Sequence, residues 1–108
     1  MIFLPQDSVI AAEKLKDYLL VPQPKDDKSK FLSFAGYTVE KWKELEQDIR
    51  SQILTQPAVF TEKTRFGDKY IIRTKLCGRN SVSISVLTVW IVRADIARFV
   101  TLVPDRGE

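Results

Sequence analysis

The sequence contains no histidine and a single cysteine, Cys77. Without an imidazole side chain, a Ser-His-Asp triad and a Cys-His pair are both impossible, and a zinc site of the usual Cys and His ligands cannot be assembled. One thiol is also too few for a disulfide within the chain. The composition therefore predicts no metal site, no cofactor and no histidine-dependent catalysis.

Glycine-rich phosphate loops and long hydrophobic runs are missing as well. The chain has four glycines in 108 residues, and no apolar stretch approaches the length that spans a bilayer. The first residues, MIFLPQDS, lack the basic and apolar regions of a signal peptide. Together with the single cysteine, these absences predict a soluble cytoplasmic protein without a membrane partner.

Paired carboxylates for acid/base hydrolysis are not indicated either. The acidic residues of the first half are concentrated in two places. The first group is Asp26 and Asp27, and the second group is Glu40, Glu44, Glu46 and Asp48. The second group lies on a predicted helix, where charges spaced a few residues apart form an ordinary solvated surface. We therefore expect these carboxylates to have no catalytic role.

Positive charge is present but uneven along the chain. Residues 1–48 carry seven Lys/Arg against nine Asp/Glu, whereas residues 49–108 carry ten against five, which gives net charges of −2 and +5. A basic second half favours polyanions such as RNA or DNA, or an acidic protein partner. The alternative is a solvated strand face that only keeps the sheet soluble.

The spacing of apolar residues predicts helices in the first half of the chain. Ser8 is the candidate N-cap of the first helix, Gly36 ends a second, and Thr38 caps the longest. The apolar face of that longest helix is formed by Trp42, Leu45, Ile49 and Ile53.

After Pro57 the apolar period changes to that of strands, with turns at Gly67-Asp68 and residues 77–80. The last two runs, VSISVLTVWIV and ARFVTLVP, are apolar enough to predict strands covered on both faces. The predicted fold class is α+β, with one domain over residues 1–108. About three N-terminal helices, in residues 8–54, pack on one face of a four-stranded antiparallel β-meander in residues 58–104.

The second predicted strand separates its side chains by charge. One face carries Lys69, Arg73 and Lys75, and the other carries Tyr70, Ile72 and Leu76. We expect the first face to be basic and the second to pack in the core, with the hydroxyl of Tyr70 at the edge. Trp90, between valine and isoleucine, is also predicted to be a core residue rather than a base-stacking platform.

Lys, Arg, Tyr and Thr side chains can act on a phosphodiester without metal or imidazole. Cleavage of RNA by its own 2′-hydroxyl needs neutralisation of the phosphate charge and a proton donor for the leaving oxygen, and cationic side chains supply much of both. The candidate catalytic residues of the sheet half are Lys69, Arg73, Arg98 and Thr101, with Tyr70 as an alternative to Thr101. The candidate nucleic-acid-binding residues are Lys63, Arg65, Lys75 and Arg79.

The segments KLKDYLL, DDKSKFLSFAGYTVEKW, TRFGDKY, TVWIV and RFVTLVP carry a family resemblance. From Lys14 to Pro104 the chain resembles a small bacterial family, common in cyanobacteria, that is classed as a domain of unknown function. The motif positions in this chain are Lys14, Leu15, Tyr18, Lys30, Gly36, Gly67, Tyr70, Trp90 and Thr101. Relatives occur in toxin–antitoxin-like pairs and at the ends of larger polymorphic toxins, so the resemblance implies a toxin-like module.

The order of helices and then strands is also similar to that of small ribonuclease toxins, which place a helical layer over an antiparallel sheet. The resemblance adds Lys30 to the candidate catalytic residues, because the motif retains it while the local helix does not require it. Many relatives end in Thr-Ala-Tyr-Pro, where this chain has Thr101-Leu102-Val103-Pro104. That tyrosine is therefore missing here.

Two functions from different classes remain open. In the first, the protein is a metal-independent RNA-acting toxin whose basic sheet face binds the phosphate backbone. In the second, it is a non-catalytic interaction module whose sheet face or edge receives a small antitoxin-like partner protein. RNA binding should weaken steeply with salt because phosphate contacts release counterions, whereas the second function predicts little affinity for nucleic acid. The oligomeric state is not predicted.

Overall fold

The computed structural model describes residues 2–25 and 27–105, so the predicted surface carboxylate Asp26 lies outside the described residues. Within them, three helices precede four strands. Helix α1 consists of an α-helical turn, Ala12–Lys14, followed by a π-helical turn, Leu15–Leu19. Helix α2 spans Ser29–Ser33. Helix α3 consists of a 3-10 turn, Val39–Lys41, an α-helix, Trp42–Asp48, and a π-helical turn, Ile49–Ile53.

The strands form a single meander, in which each strand pairs antiparallel with the next. They are β1, Val59–Thr64; β2, Gly67–Cys77; β3, Ser83–Arg93; and β4, Ile96–Pro104. Ala94 and Asp95 join β3 to β4 with φ of 53° and 64°, the left-handed backbone that tight hairpins use. The predicted α+β class, with helices followed by a four-stranded antiparallel sheet, is confirmed.

The turn between β1 and β2 lies two residues before the predicted position. Arg65 and Phe66 form it, and Gly67 already pairs with Thr64 as the first residue of β2. Gly67 has a φ of 138°, and a Cβ there would lie 2.6 Å from the carbonyl oxygen of Val92. The glycine is therefore needed because the neighbouring strand approaches its backbone closely, and not because it forms the turn.

The hydrophobic core lies between the helices and one face of the sheet, which we call the inner face. The helices contribute fully buried Leu15, Leu19, Leu32, Leu45, Ile49 and Ile53. The sheet contributes Ile72, Leu76, Val86, Trp90, Phe99 and Leu102. The alternation predicted for β2 is confirmed, because Ile72 and Leu76 are buried while Arg73 and Lys75 are exposed. Trp90 is fully buried, as expected.

The first helix begins later than predicted, because the N-terminal segment pairs with the sheet. The backbone N–H of Val9 donates to Ala97 O, and that of Phe99 donates to Val9 O, both at 2.8 Å. Ser8, predicted as an N-cap, is buried, and its Oγ donates to Pro5 O at 2.5 Å. The guanidinium of Arg50 donates to Ser8 O at 2.8 Å. These contacts hold the segment extended, so helix α1 starts at Ala12.

The prediction that the last two strands are covered on both faces is wrong. No described helix packs on the second face of the sheet, which we call the outer face. Its apolar side chains are Ile71, Leu87, Val89, Ile91 and Val103, and all five are only partly buried. An antiparallel sheet can leave one face open in this way, since neighbouring outward side chains shield each other across the strands.

Candidate nucleic-acid interface

The outer face collects cations from three neighbouring strands. They are Lys69, Arg73 and Lys75 of β2, Arg93 of β3 and Arg98 of β4. The register pairs Lys69 with Ile91, and Ile91 with Arg98. Lys69 and Arg98 therefore flank one apolar residue, about 10 Å apart across the sheet. The outward positions of β2, β3 and β4 include no carboxylate within the described residues.

A β-bulge in β4 determines the direction of Thr101. The register shifts between Val89, which pairs with Thr101, and Trp90, which pairs with Phe99, so Val100 is an extra residue. In a regular strand, Arg98 and Thr101 would point to opposite faces because they are three residues apart. The bulge reverses the alternation and brings both residues to the outer face.

These side chains line a groove of about 860 Å³, which we call the outer groove. Its cations are Lys14, Lys69, Arg93 and Arg98. Its other lining residues are Thr64, Phe66, Val89, Ile91, Ile96, Phe99, Val100 and Thr101. The described lining thus has positive charge around an apolar floor, and no carboxylate is part of it.

A second cavity, which we call the α1–β4 cleft, lies beside the outer groove. It has a volume of about 580 Å³. Its lining residues are Ala11, Glu13, Lys14, Tyr18, Lys28, Val100 and Thr101. The two cavities share Lys14, Val100 and Thr101, so they adjoin at the bulge of β4. Inside the cleft, the ammonium of Lys28 donates to Tyr18 Oη at 3.1 Å.

The hydroxyl of Thr101 is unusual at this junction. Its Oγ1 atom is buried and has no hydrogen-bond partner among the described residues. Buried hydroxyls in folded proteins are nearly always paired, because an unpaired one loses its hydrogen bonds to water without replacement. Thr101 therefore holds an unused donor and acceptor where the two cavities meet.

The ion pairs near the outer face leave the cations there available. On that face, the Nζ of Lys69 lies 3.8 Å from Glu62 Oε2. At the same end of the sheet, but with the opposite parity, the Nζ of Lys63 lies 3.9 Å from Asp68 Oδ1. Both pairs are long and partly or largely exposed, and such pairs contribute little. The guanidinium of Arg65 lies over the ring of Phe66, 5.0 Å from its centroid. These cations can exchange their present contacts for a phosphate at small cost.

The structure brings together part of the set predicted from the sequence. Lys69, Arg98 and Thr101 line the outer groove. Arg73 and Lys75 lie on the same face, further along β2. Lys63 and Arg65 lie at the end of the first hairpin. Tyr70 points to the inner face, where it packs edge-to-face on Phe60 with ring centroids 5.7 Å apart.

Arg79 is not brought to the outer face. Its side chain reaches the helical layer, where it pairs with Asp48 at 3.3 Å and with Glu44 at 3.7 Å. The Oη of Tyr37 donates to the same Asp48 carboxylate at 2.6 Å. Burial and this hydrogen bond raise the pKa of Tyr37, and the hydrogen bond to Asp48 raises the pKa of Arg79. The cluster joins α3 to the turn after β2, which is a structural role.

Lys30 lies on α2, in the helical layer. It lines a separate depression of about 360 Å³ with Pro22, Thr38 and Glu40 among its neighbours. The helices and core lie between this depression and the outer face of the sheet. Lys30 therefore cannot act on the same phosphate as Arg98.

Among the residues on which the site depends, Lys14, Tyr18, Lys28 and Arg93 were not predicted as site residues. Lys14 and Tyr18 are among the motif positions of the family resemblance, which is the sequence feature that could have indicated them as site residues. Helical spacing alone places both on α1, but their proximity to Thr101 depends on how α1 lies against β4. Lys28 had no sequence signal, since it is one of several lysines in a charged connection.

Two further properties concern the described part of the chain. No group of three or more Cys, Asp or Glu side chains there could hold a metal ion. No helix found there is long and apolar enough to cross a membrane.

These observations define a small α+β protein with a helical layer on one sheet face and an open cationic groove on the other. Residues 5–106 match the family model described as Domain of unknown function (DUF6883), and the chain belongs to this family. The prediction that the chain belongs to a family classed as a domain of unknown function is confirmed. No curated protein matches the sequence.

Among solved structures, the fold is similar to a chain of the contact-dependent growth inhibition toxin–immunity protein complex from Klebsiella pneumoniae 342. The two chains share 18% sequence identity with a TM-score of 0.70. The match covers 91% of this chain and 100% of the other. At this level of identity the likeness establishes a shared fold.

Proposed function

We propose that this chain is a toxin-like module that binds single-stranded RNA along the outer groove and cleaves it without a metal ion. The observation that carries the proposal is the lining of the groove, in which Lys14, Lys69, Arg93 and Arg98 surround an apolar floor with no described carboxylate among them. Phosphates bind cations whose existing ion pairs are weak, as the pair of Lys69 with Glu62 is, and bases bind apolar surface.

The groove suits an unpaired strand better than a duplex. Its floor of Val89, Ile91 and Ile96 is apolar, and Phe66 at its rim is 62% exposed. Splayed bases stack on such surfaces, whereas a duplex hides its bases and presents mainly phosphates and sugars. Single-stranded RNA, which offers both phosphates and unstacked bases, is therefore the favoured ligand.

Cleavage needs little from the protein beyond charge and position. The 2′-oxygen of RNA attacks the adjacent phosphorus, the bond to the 5′-oxygen breaks, and the proton lost by the 2′-hydroxyl passes to water. Arg98 and Lys14 flank the junction at Thr101 and can neutralise the charge that develops on the phosphate. A lysine ammonium or a water molecule returns a proton to the leaving 5′-oxygen.

The toxin-like part of the proposal is supported by the shared fold. The similar chain comes from a growth inhibition toxin–immunity protein complex, and it is matched over its whole length. Such a complex has a toxin and an immunity protein as members, and we assign this chain to the toxin-like class because of its cationic groove.

Expression in a bacterial host, followed by growth measurement and inspection of total RNA, tests the proposal. Expression of the wild-type chain should arrest growth and produce discrete RNA fragments. The purified protein should cleave RNA in vitro in the presence of EDTA. Lys69→Gln and Arg98→Gln should reduce cleavage, while Lys41→Gln, an exposed cation of the helical layer, should not. Normal growth with intact RNA would exclude the nuclease. Lys30→Gln tests separately whether α2 takes part, as the family resemblance implies.

A second function is favoured by the apolar character of the outer face. Ile71, Leu87, Val89, Ile91 and Val103 form a partly exposed surface framed by cations. Such a surface also fits a small acidic partner protein in a non-catalytic pair. Affinity for RNA that falls steeply with salt supports the first function. Absence of RNA affinity, with binding of an acidic partner, supports the second.

A further inference from the structure

We infer that the α1–β4 cleft is a phosphate-binding subsite into which an RNA strand continues from the outer groove. This inference rests on the proposed function. It adds the path of the RNA strand beyond the outer groove and the residues that bind it there, neither of which follows from the cationic sheet face alone. The residues are Lys14, Tyr18, Lys28 and Thr101.

The first argument is the connection between the two cavities. The backbone of Val9 occupies the edge of β4 at Ala97 and Phe99. The bulge at Val100 follows immediately, and there the outer groove and the cleft share Lys14 and Thr101. A strand lying over the outer face can therefore cross the sheet edge at the bulge and enter the cleft.

The second argument is the hydrogen-bonding capacity of the cleft. Tyr18 Oη accepts a hydrogen bond from the ammonium of Lys28 at 3.1 Å, so its own proton is directed elsewhere and can be donated to a ligand. The hydroxyl of Thr101 has no described partner, and rotation about χ1 exchanges it with its methyl group. A phosphate oxygen accepts from hydroxyls and ammonium groups and donates to none, which matches these groups.

The third argument is charge. The described lining holds two lysines, Lys14 and Lys28, against one carboxylate, Glu13. A single phosphodiester compensates the excess positive charge. Lys14 also lines the outer groove, so one side chain can contact successive phosphates on either side of the bulge.

Binding of a fluorescent 2′-O-methyl oligouridylate of about eight nucleotides tests the inference. This probe lacks the attacking hydroxyl, so binding is measured without cleavage. We expect Lys14→Gln to weaken binding roughly tenfold and to lower the slope of log K against log salt by about 0.7. Tyr18→Phe should weaken binding roughly fivefold and leave the slope unchanged, because it removes a hydroxyl and no charge.

Lys16→Gln is the matched control on the same helix, because Lys16 lies over the ring of Trp42 and does not line the cleft. It should bind like the wild-type chain. If Lys14→Gln and Tyr18→Phe also bind like the wild-type chain while Arg98→Gln binds weakly, the strand stays on the outer face and the subsite is refuted. Thermal unfolding of each variant confirms that it is folded.

A wild-type chain that binds no oligouridylate at low salt contradicts the proposed function itself. In that case, titration with inorganic phosphate followed by phosphorus NMR decides the cleft separately. If phosphate binds and Lys14→Gln abolishes that binding, the cleft is a phosphate site whose ligand is a phosphate compound other than RNA. Absence of binding refutes the cleft as well.

Discussion

Replacing Thr101 by valine separates stability from ligand binding at the junction of the two cavities. The Oγ1 atom of Thr101 is buried without a described partner. An unpaired buried hydroxyl costs about 1–3 kcal/mol, and valine has nearly the same shape without the polar atom. We therefore expect Thr101→Val to raise the free energy of unfolding by about 1 kcal/mol, which corresponds to a Tm increase of about 4–8 °C in a domain of this size.

Thr88 provides a matched control on the inner face of the same sheet. Its Oγ1 accepts from Trp90 Nε1 at 2.8 Å and donates to Ile72 O at 3.2 Å, and all three residues are fully buried. Thr88→Val leaves the indole N–H unpaired, so the same substitution should here lower the free energy of unfolding by about 1–3 kcal/mol. Urea denaturation of both variants tests whether the free energy of unfolding rises in Thr101→Val and falls in Thr88→Val.

The second readout is RNA binding. If the hydroxyl of Thr101 turns toward a phosphate, Thr101→Val should bind the oligouridylate more weakly even though it is more stable, while folded Thr88→Val should bind normally. Such a gain in stability with a loss of binding is typical of a residue kept for function. A Thr101→Val variant that is destabilised as much as Thr88→Val would show that the hydroxyl is paired in solution and would refute the reasoning.

Further predictions concern the contacts that hold the two layers together. Tyr37→Phe removes a buried hydrogen bond to Asp48 and should lower the free energy of unfolding by about 1–3 kcal/mol in urea denaturation, whereas Tyr70→Phe should have a smaller effect. The pKa of Tyr37 is raised on folding, so stability should fall by up to about 1.4 kcal/mol per pH unit above its ordinary value of 10.0, and equal slopes in wild type and Tyr37→Phe would contradict this. Gly78→Ala places a Cβ against the carbonyl oxygen of Ala35 and should destabilise by about 1–3 kcal/mol or more, so an unchanged Tm would mean that the turn moves freely.

The fold could be predicted in outline because the apolar period changes once along the chain. Leu45, Ile49 and Ile53 recur at helical spacing and are all fully buried, and the two-residue alternation of β2 directs Arg73 outward. Local spacing is sufficient for such features, since each depends on near neighbours in sequence. The turn before Gly67 and the start of α1 were predicted incorrectly, because both depend on contacts with strands far along the chain.

The candidate site could be predicted only in part. The parity of β2 places Lys69 on the outer face, and the composition alone excludes histidine chemistry. Arg79 is a cation of the second half of the chain, as Lys69 is, but its side chain forms an ion pair with Asp48 in the helical layer. The partner of a charged side chain is a property of three-dimensional packing, and spacing along the chain does not encode it directly.

The residue types, the change from helical to strand period and the basic character of the second half follow from the order of amino acids. The proximity of Lys14, Arg98 and Thr101 does not follow from the order of amino acids. It requires an extra residue in β4 and a parallel bridge between Val9 and Arg98. Both depend on backbone hydrogen bonds between distant segments. Strict alternation places Arg98 and Thr101 on opposite faces, and the bulge at Val100 places them on the same one.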